Sequence, residues 1–192
     1  MSKESKIVLY IAMSLDGYIA KEDGSIEWLE NTGGDEVSGY LDFYETIDTI
    51  IMGRKTYDQV LTFGEWGYKA KKTYVLTSKP RETKNDLEIE FINEDLNSLV
   101  NRLKAKAKLD IWLLGGAKIV NEFLESELID EYRIAIIPII LGSGIKLFET
   151  DIEELLKLED MTRHGDIVEL RYVKNKIKIA NFEINNYNRS ND

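Results

Sequence analysis

The sequence predicts an α/β fold with a mixed, mostly parallel sheet and an antiparallel hairpin at its C-terminal end. Three observations carry this reading. Short apolar runs suited to buried strands alternate with segments of helical spacing. Several of those runs end directly in glycine or a polar turn before a helix begins. Beyond residue 165 the spacing changes to a two-residue alternation. The 192 residues contain no internal repeat, low-complexity segment or Pro/Ser-rich linker, and are read as one domain over 1–192.

The elements follow in order. Ile7–Met13 is a buried strand, Asp16-Gly17 a turn, and Tyr18–Ala20 a short extended piece. Lys21–Gly34 is a polar loop. From Asp35, the apolar positions Val37, Tyr40, Leu41, Tyr44 and Ile47 follow helical spacing. Thr49–Met52 is a strand ended by Gly53, Lys55–Leu61 a helix and Thr62–Lys72 a loop. Thr73–Thr77 is a strand stopped at Lys79-Pro80, and Leu87–Ile92 another strand. Asn93 can cap a helix that buries Leu96, Leu99, Val100, Leu103 and Ala107. Asp110–Leu114 runs into Gly115-Gly116, and the next helix buries Ile119, Val120, Phe123 and Leu124. Ile129–Ile140 is a long strand signal in which Pro138 predicts a bulge or a sheet edge. Leu141–Gly144 is a turn. Val168, Leu170 and Tyr172 then alternate with Ile167, Glu169 and Arg171, and Asn175 turns the chain into a last strand near Ile177–Ile184.

Composition narrows the function. The chain is 43% hydrophobic and 31% charged, which excludes a disordered polymer. It has no cysteine, which excludes disulfide scaffolds, Cys-ligated zinc and thiol catalysis. No His/Asp/Glu cluster has metal-ligand spacing, so no metal is expected, and His164 reads as a surface residue near a hairpin turn. No apolar run reaches membrane-spanning length and the N-terminal residues lack a signal-peptide core, so the expectation is a soluble, cytoplasmic protein with no membrane partner. A net charge of −10 argues against nucleic-acid partners. That charge is uneven: residues 54–84 hold eight cations against three acids, inside an otherwise acidic chain.

Three segments carry the chemistry. In Ile50-Ile51-Met52-Gly53-Arg54-Lys55-Thr56 a strand ends in glycine and a helix begins, which sets backbone N–H groups, two cations and a hydroxyl where phosphate binds. In Val75-Leu76-Thr77-Ser78-Lys79-Pro80 a strand exits into hydroxyls and a cation suited to a 2′-phosphate. In Trp112-Leu113-Leu114-Gly115-Gly116-Ala117-Lys118 paired glycines permit close backbone approach to a pyrophosphate. Each segment taken alone also reads as an ordinary turn. The third is not the GxGxxG fingerprint, which argues against a Rossmann fold.

Together with the opening Ser14-Leu15-Asp16-Gly17-Tyr18-Ile19-Ala20, these segments resemble the dihydrofolate reductase superfamily. The late segment Pro138–Phe148, with its Pro-x-x-Leu-Gly-x-Gly pattern, is similar to the reductase domain of bifunctional riboflavin-biosynthesis deaminase/reductases, and closest to stand-alone members of that branch. The similarity covers roughly residues 6–185. It implies a three-layer α/β/α sandwich, a cis Gly115–Gly116 peptide, NADPH as cofactor and a homodimer. It also implies the cofactor residues: Ala12 and Ile19 against the nicotinamide; Gly53, Arg54, Lys55 and Thr56 on phosphates; Leu76, Thr77, Ser78 and Lys79 at the adenosine ribose; Gly115, Gly116, Ala117, Lys118 and Ile119 around the pyrophosphate.

The proton donor is expected on the helix after residue 34. With Val37, Tyr40, Leu41 and Tyr44 buried, Glu36 lies about 100° from Val37 and Asp35 about 160° away, so Glu36 is the better acid and Asp35 the second. Both also read as complements of the helix N-terminus. Asp16 is assigned to turn chemistry. Trp28, Tyr40 and Phe43 are candidate walls for a planar heterocycle. Tyr57–Gly64 stands where the riboflavin-pathway enzymes carry an Asp-Asp-Pro substrate loop, and Leu29 where dihydrofolate reductases carry a proline after tryptophan. The expected activity is NADPH-dependent reduction of a small pyrimidine- or pterin-type substrate. A 5-amino-6-(5-phosphoribosylamino)uracil reductase-like reaction leads, dihydrofolate reduction follows, and an inert NADPH-binding protein is the alternative from another class.

Overall fold

The computed structural model describes residues 4–30, 39–79 and 88–175. Among these, an eight-stranded sheet forms from β1 (Ile7–Ser14), β3 (Ile47–Gly53), β4 (Lys72–Leu76), β5 (Ile89–Ile92), β6 (Asp110–Gly115), β7 (Glu131–Ile137), β9 (Leu156–His164) and β10 (Ile167–Lys174). Its order is β5-β4-β3-β6-β1-β7-β10-β9. The strands from β5 to β7 pair in parallel, and β10 runs antiparallel to both β7 and β9. A separate antiparallel pair joins β2 (Tyr18–Ala20) to β8 (Ile145–Lys146).

Both faces of the sheet are covered, which is why its central strands read as unbroken apolar runs. Ile7, Leu9, Ile51, Ile111 and Leu113 pack under α4 (Leu96–Lys104) and α5 (Ala117–Glu125) through Leu99, Leu103, Val120 and Phe123. Their chain neighbours Val8, Tyr10, Ile50, Met52 and Trp112 point the other way, against Phe43 of α2 (Tyr40–Glu45) and Tyr57 of α3 (Arg54–Val60). Trp28 of α1 (Glu27–Glu30) extends that second layer over Ala135, Ile137 and Ile167. The predicted α/β/α layering and mixed sheet are present.

Four expectations are corrected. Pro138 makes neither a bulge nor an edge: β7 stops at Ile137 and lies inside the sheet, because a proline lacks the N–H that either neighbour would need. The α4 cap is Asp95, whose carboxylate accepts the Ser98 N–H, rather than Asn93. In α2 the buried residue is Phe43, stacked on Tyr10 with ring centroids 4.2 Å apart, while Leu41 is 58% exposed. The described C-terminal hairpin is β9–β10, turning at Gly165, with β9 absent from the sequence reading. The strand expected near Ile177–Ile184 lies outside the described residues.

Candidate active site

The strand ends that carry the three turns are neighbours. β4, β3, β6 and β1 are consecutive in the sheet, with Leu76 beside Gly53 and Met52 beside Gly115. Ligands of open parallel sheets bind outside these carboxyl ends. Glycine lets the β3 and β6 turns press together. A Cβ on Gly53 would stand 2.8 Å from Ile119 Cγ1, and one on Gly116 would stand 3.1 Å from Thr56 Oγ1. The Gly115–Gly116 peptide is cis, and Gly115 has φ +111°.

Two helices open onto this edge with their first turns free. α3 starts after Gly53 and α5 after Gly116; neither has a side-chain cap or an acid in its first turn. Their leading N–H groups are orphan donors at the positive ends of helix dipoles, the arrangement that favours phosphate. Arg54 adds a guanidinium. Its Nε donates to both carboxylate oxygens of Asp58, at 2.9 and 2.7 Å, and its Cζ lies 5.7 Å from the Phe91 ring centroid. The terminal nitrogens of Arg54 carry no hydrogen bond among the described residues.

The other expected cofactor residues lie along the same edge. Lys55 is exposed and Thr56 half-buried. Thr77, Ser78 and Lys79 leave β4 after buried Leu76, and the Lys79 N–H donates to Thr77 Oγ1 at 3.2 Å. Ala117 and Ile119 are buried, and Lys118 points outward 3.7 Å from Glu122. Ala12 is half-buried on the Trp28 side of the sheet, and Ile19 packs toward the α4/α5 side. Three other cations of the basic stretch are held elsewhere. Lys69 pairs with Glu65 at 2.6 Å, Lys71 donates to the Ile47 carbonyl at 2.6 Å, and Lys72 lies near Glu88 and Glu90.

Asp16 joins the two motifs of the resemblance. Its carboxylate accepts the Ser14 hydroxyl at 2.7 Å and the N–H groups of Leu141 and Gly142 at 3.1 and 2.8 Å. Leu15 N–H reaches the Ile139 carbonyl and Leu147 N–H the Gly17 carbonyl. Chiefly through Ser14, the Asp16 carboxyl is lowered from 3.8 to about 2. A carboxyl held below its unfolded value stabilises fully above that value, and this contribution disappears as pH falls through the folded value. Hydrogen-exchange protection of the Leu141 and Gly142 amides is therefore expected to persist at pH 4 and to fall away towards pH 2. Asp16→Ala should abolish it at every pH; equal protection in that variant would refute the clamp.

On the substrate side, Trp28 and Phe43 are buried and Tyr40 half-buried. Phe43 is 1% exposed within the aromatic packing of Tyr10 and Trp112, and so anchors α2 to the sheet. Trp28 is 5% exposed, and its Nε1–H has no partner among the described residues. Asp35 and Glu36 lie outside the described residues.

The sequence reading missed a charged pair beneath this layer. Glu169 of β10 is 4% exposed; its Oε1 accepts a hydrogen bond from Arg133 Nε at 2.9 Å and lies 2.9 Å from Nη2 in an ion pair. The guanidinium of Arg133 lies 5.3 Å from the Phe43 ring centroid and 5.8 Å from that of Tyr10. His164 is half-buried rather than fully on the surface. Gly39, with φ +70°, makes room: a Cβ there would stand 2.9 Å from His164 Nε2 and 3.4 Å from Glu169 Oε2. The available signal was Ile167, an apolar residue whose two-residue register Glu169 shares.

The family model for the RibD C-terminal domain matches residues 66–168, more than half of the chain. The chain belongs to this family. A relative of the domain, the uncharacterized YwjB protein of Bacillus subtilis (strain 168), is 46% identical over 173 residues, which are 89% of this chain and 99% of that protein. A solved structure from Shewanella sp. PV-4, provisionally named for riboflavin biosynthesis, superposes with a TM-score of 0.79 at 28% identity, covering 89% of this chain and 99% of that one. Enterococcus faecalis dihydrofolate reductase, solved with NADP(H), superposes at TM-score 0.61 and 18% identity over 92% of this chain and 100% of that one. The fold is thus dihydrofolate-reductase-like, in the riboflavin-biosynthesis reductase type of family. No helix among the described residues is long and apolar enough to cross a membrane.

Proposed function

We propose that this RibD C-terminal domain protein is an NADPH-dependent reductase that passes hydride to a pyrimidine- or pterin-type substrate, in a reaction of the 5-amino-6-(5-phosphoribosylamino)uracil reductase type. The observation that supports this most is the meeting of three turns on adjacent parallel strand ends, with two uncapped, acid-free helix starts among them. That donor set suits a dinucleotide: orphan N–H groups for pyrophosphate, and Arg54, Ser78 and Lys79 for a 2′-phosphate. The NADP(H) bound by the E. faecalis dihydrofolate reductase, which shares the fold, adds support.

When bound, the nicotinamide supplies the hydride. The chain's part is to hold and orient. Gly53, Thr56, Gly116 and Ala117 present backbone and hydroxyl donors, and Ala12 and Ile19 flank the ring. Trp28 and Tyr40 cover the substrate, while Phe43 holds their layer to the sheet. Glu36 gives the proton that balances the hydride at a reduced C=N bond. NADPH oxidation followed at 340 nm across a panel of pyrimidines and pterins tests this reading. Glu36→Gln is expected to lower turnover roughly a hundredfold or more, with NADPH affinity unchanged. Full rate in that variant would remove Glu36 from the mechanism. NADPH binding without turnover of any compound would favour the inert binding protein.

A further inference from the structure

One row of the sheet runs from the nicotinamide side to the buried charge. Ala12 of β1 pairs with Ala135 of β7, and Ala135 pairs with Glu169 of β10. Adjacent strands lie about 4.8 Å apart, so Glu169 stands about 10 Å along the row from Ala12. Between them stands one residue, Ala135, which is 3% exposed. Trp28 packs on Ala135, Ile137 and Ile167 beside that row.

Two polar groups here are buried and incompletely used. The Trp28 indole N–H has no acceptor among the described residues, although the side chain is 5% exposed. Buried donors are nearly always paired, so an unpaired one calls for an explanation. Glu169 spends Oε1 on its hydrogen bond and ion pair with Arg133, and no hydrogen bond to Oε2 occurs among the described residues. Arg133 itself lies against the stacked Tyr10 and Phe43 rings, so the carboxylate is held in place with one oxygen left over. Neither group has a part in the cofactor site.

We propose that Trp28 and Glu169 read the polar rim of the substrate heterocycle. The indole N–H donates to a ring carbonyl and Glu169 Oε2 accepts a ring or amino N–H, with the ring lying over half-buried Ala12 beside the indole. The substrate class is then a planar ring that carries both a carbonyl and an N–H on its rim. The recognising carboxylate comes from the sheet rather than being Glu36 or Asp35, and Arg133 is its positioning residue. This rests on the reductase reading above.

The test uses lumazine and 1,3-dimethyllumazine, which keeps both carbonyls but has no N–H at either substituted ring position. Binding to NADPH-saturated protein is measured by fluorescence titration. Lumazine is expected to bind at least tenfold more tightly than its dimethyl derivative. Glu169→Gln should weaken lumazine about tenfold and shrink that gap. Trp28→Phe should weaken both probes by a similar factor, and neither variant should shift NADPH affinity by more than threefold. Equal affinity of the wild-type protein for the two probes would overturn the proposal, as would no lumazine binding or lumazine affinity unchanged in both variants. Should Glu169→Gln fail to fold, the wild-type contrast and Trp28→Phe decide. Failure of the wild-type protein to bind NADPH would instead strike the reductase reading.

Discussion

Gly144→Ala is expected to destabilise the protein by about 3 kcal/mol or more. A Cβ at this position would stand 2.2 Å from the Ala20 carbonyl oxygen, and both are backbone-fixed. The φ of +147° adds strain for any L side chain, so no rotamer change relieves the contact. β8 would have to leave β2, and with it Ile19 would leave the edge where the nicotinamide is proposed to lie. For a chain of this size the midpoint of thermal unfolding should fall by roughly 6–12 °C. Gly67→Ala is the control: a Cβ there meets nothing within 4 Å, and the midpoint should stay within about 2 °C. Equal midpoints for the two variants would show that the Gly144 contact is not the constraint claimed.

Arg54→Ala should weaken NADPH binding roughly ten- to hundredfold, the range expected for charge-assisted hydrogen bonds to a phosphate. NADH lacks the 2′-phosphate and should lose less than about threefold. Arg54→Lys should fall between, because an ammonium keeps the charge but not the fork of donors. The geometry favours this division of labour. Asp58 occupies only Nε of Arg54, which leaves the terminal nitrogens for a ligand and the side chain aligned over Phe91. Isothermal titration of both cofactors against both variants measures the split. A parallel loss for NADPH and NADH would place Arg54 on a phosphate that the two share.

The strand-end edge proposed for the cofactor was legible because its signals are local. Strand, glycine and helix follow one another within a few residues at Gly53 and Gly115-Gly116, so short-range pattern carries the information. Sheet order then makes neighbours of turns that are far apart in the chain, Gly53 and Gly115 among them. What escaped the sequence is non-local. β9, Leu-Lys-Leu-Glu-Asp-Met-Thr-Arg-His, is an exposed edge whose charges leave little apolar alternation to detect. Glu169 sits among residues that alternate so that Val168, Leu170 and Tyr172 look like the inner face. In fact Ile167 and Glu169 are the buried ones, because α1 covers their side and Arg133 of β7 supplies the counter-charge. Phe43 was placed with the substrate walls rather than the core. Among the described residues α2 begins at Tyr40 after a left-handed Gly39, and within it Phe43 rather than Leu41 is buried.

The acidic net charge and the basic stretch are reconciled by the same geometry. Lys69, Lys71 and Lys72 neutralise local acids or cap a carbonyl, and within the described residues only Arg54, Lys55 and Lys79 of that stretch follow the carboxyl ends of strands. A cofactor held by the three turns, as proposed, would sample those few groups and not the field of the whole surface.

Titration of the wild-type protein with NADPH and NADH, followed by nicotinamide fluorescence, tests the central claim most directly. One saturable NADPH site per chain, with NADH at least tenfold weaker, is the predicted result. Equal affinity for the two cofactors, or binding of neither, would contradict it.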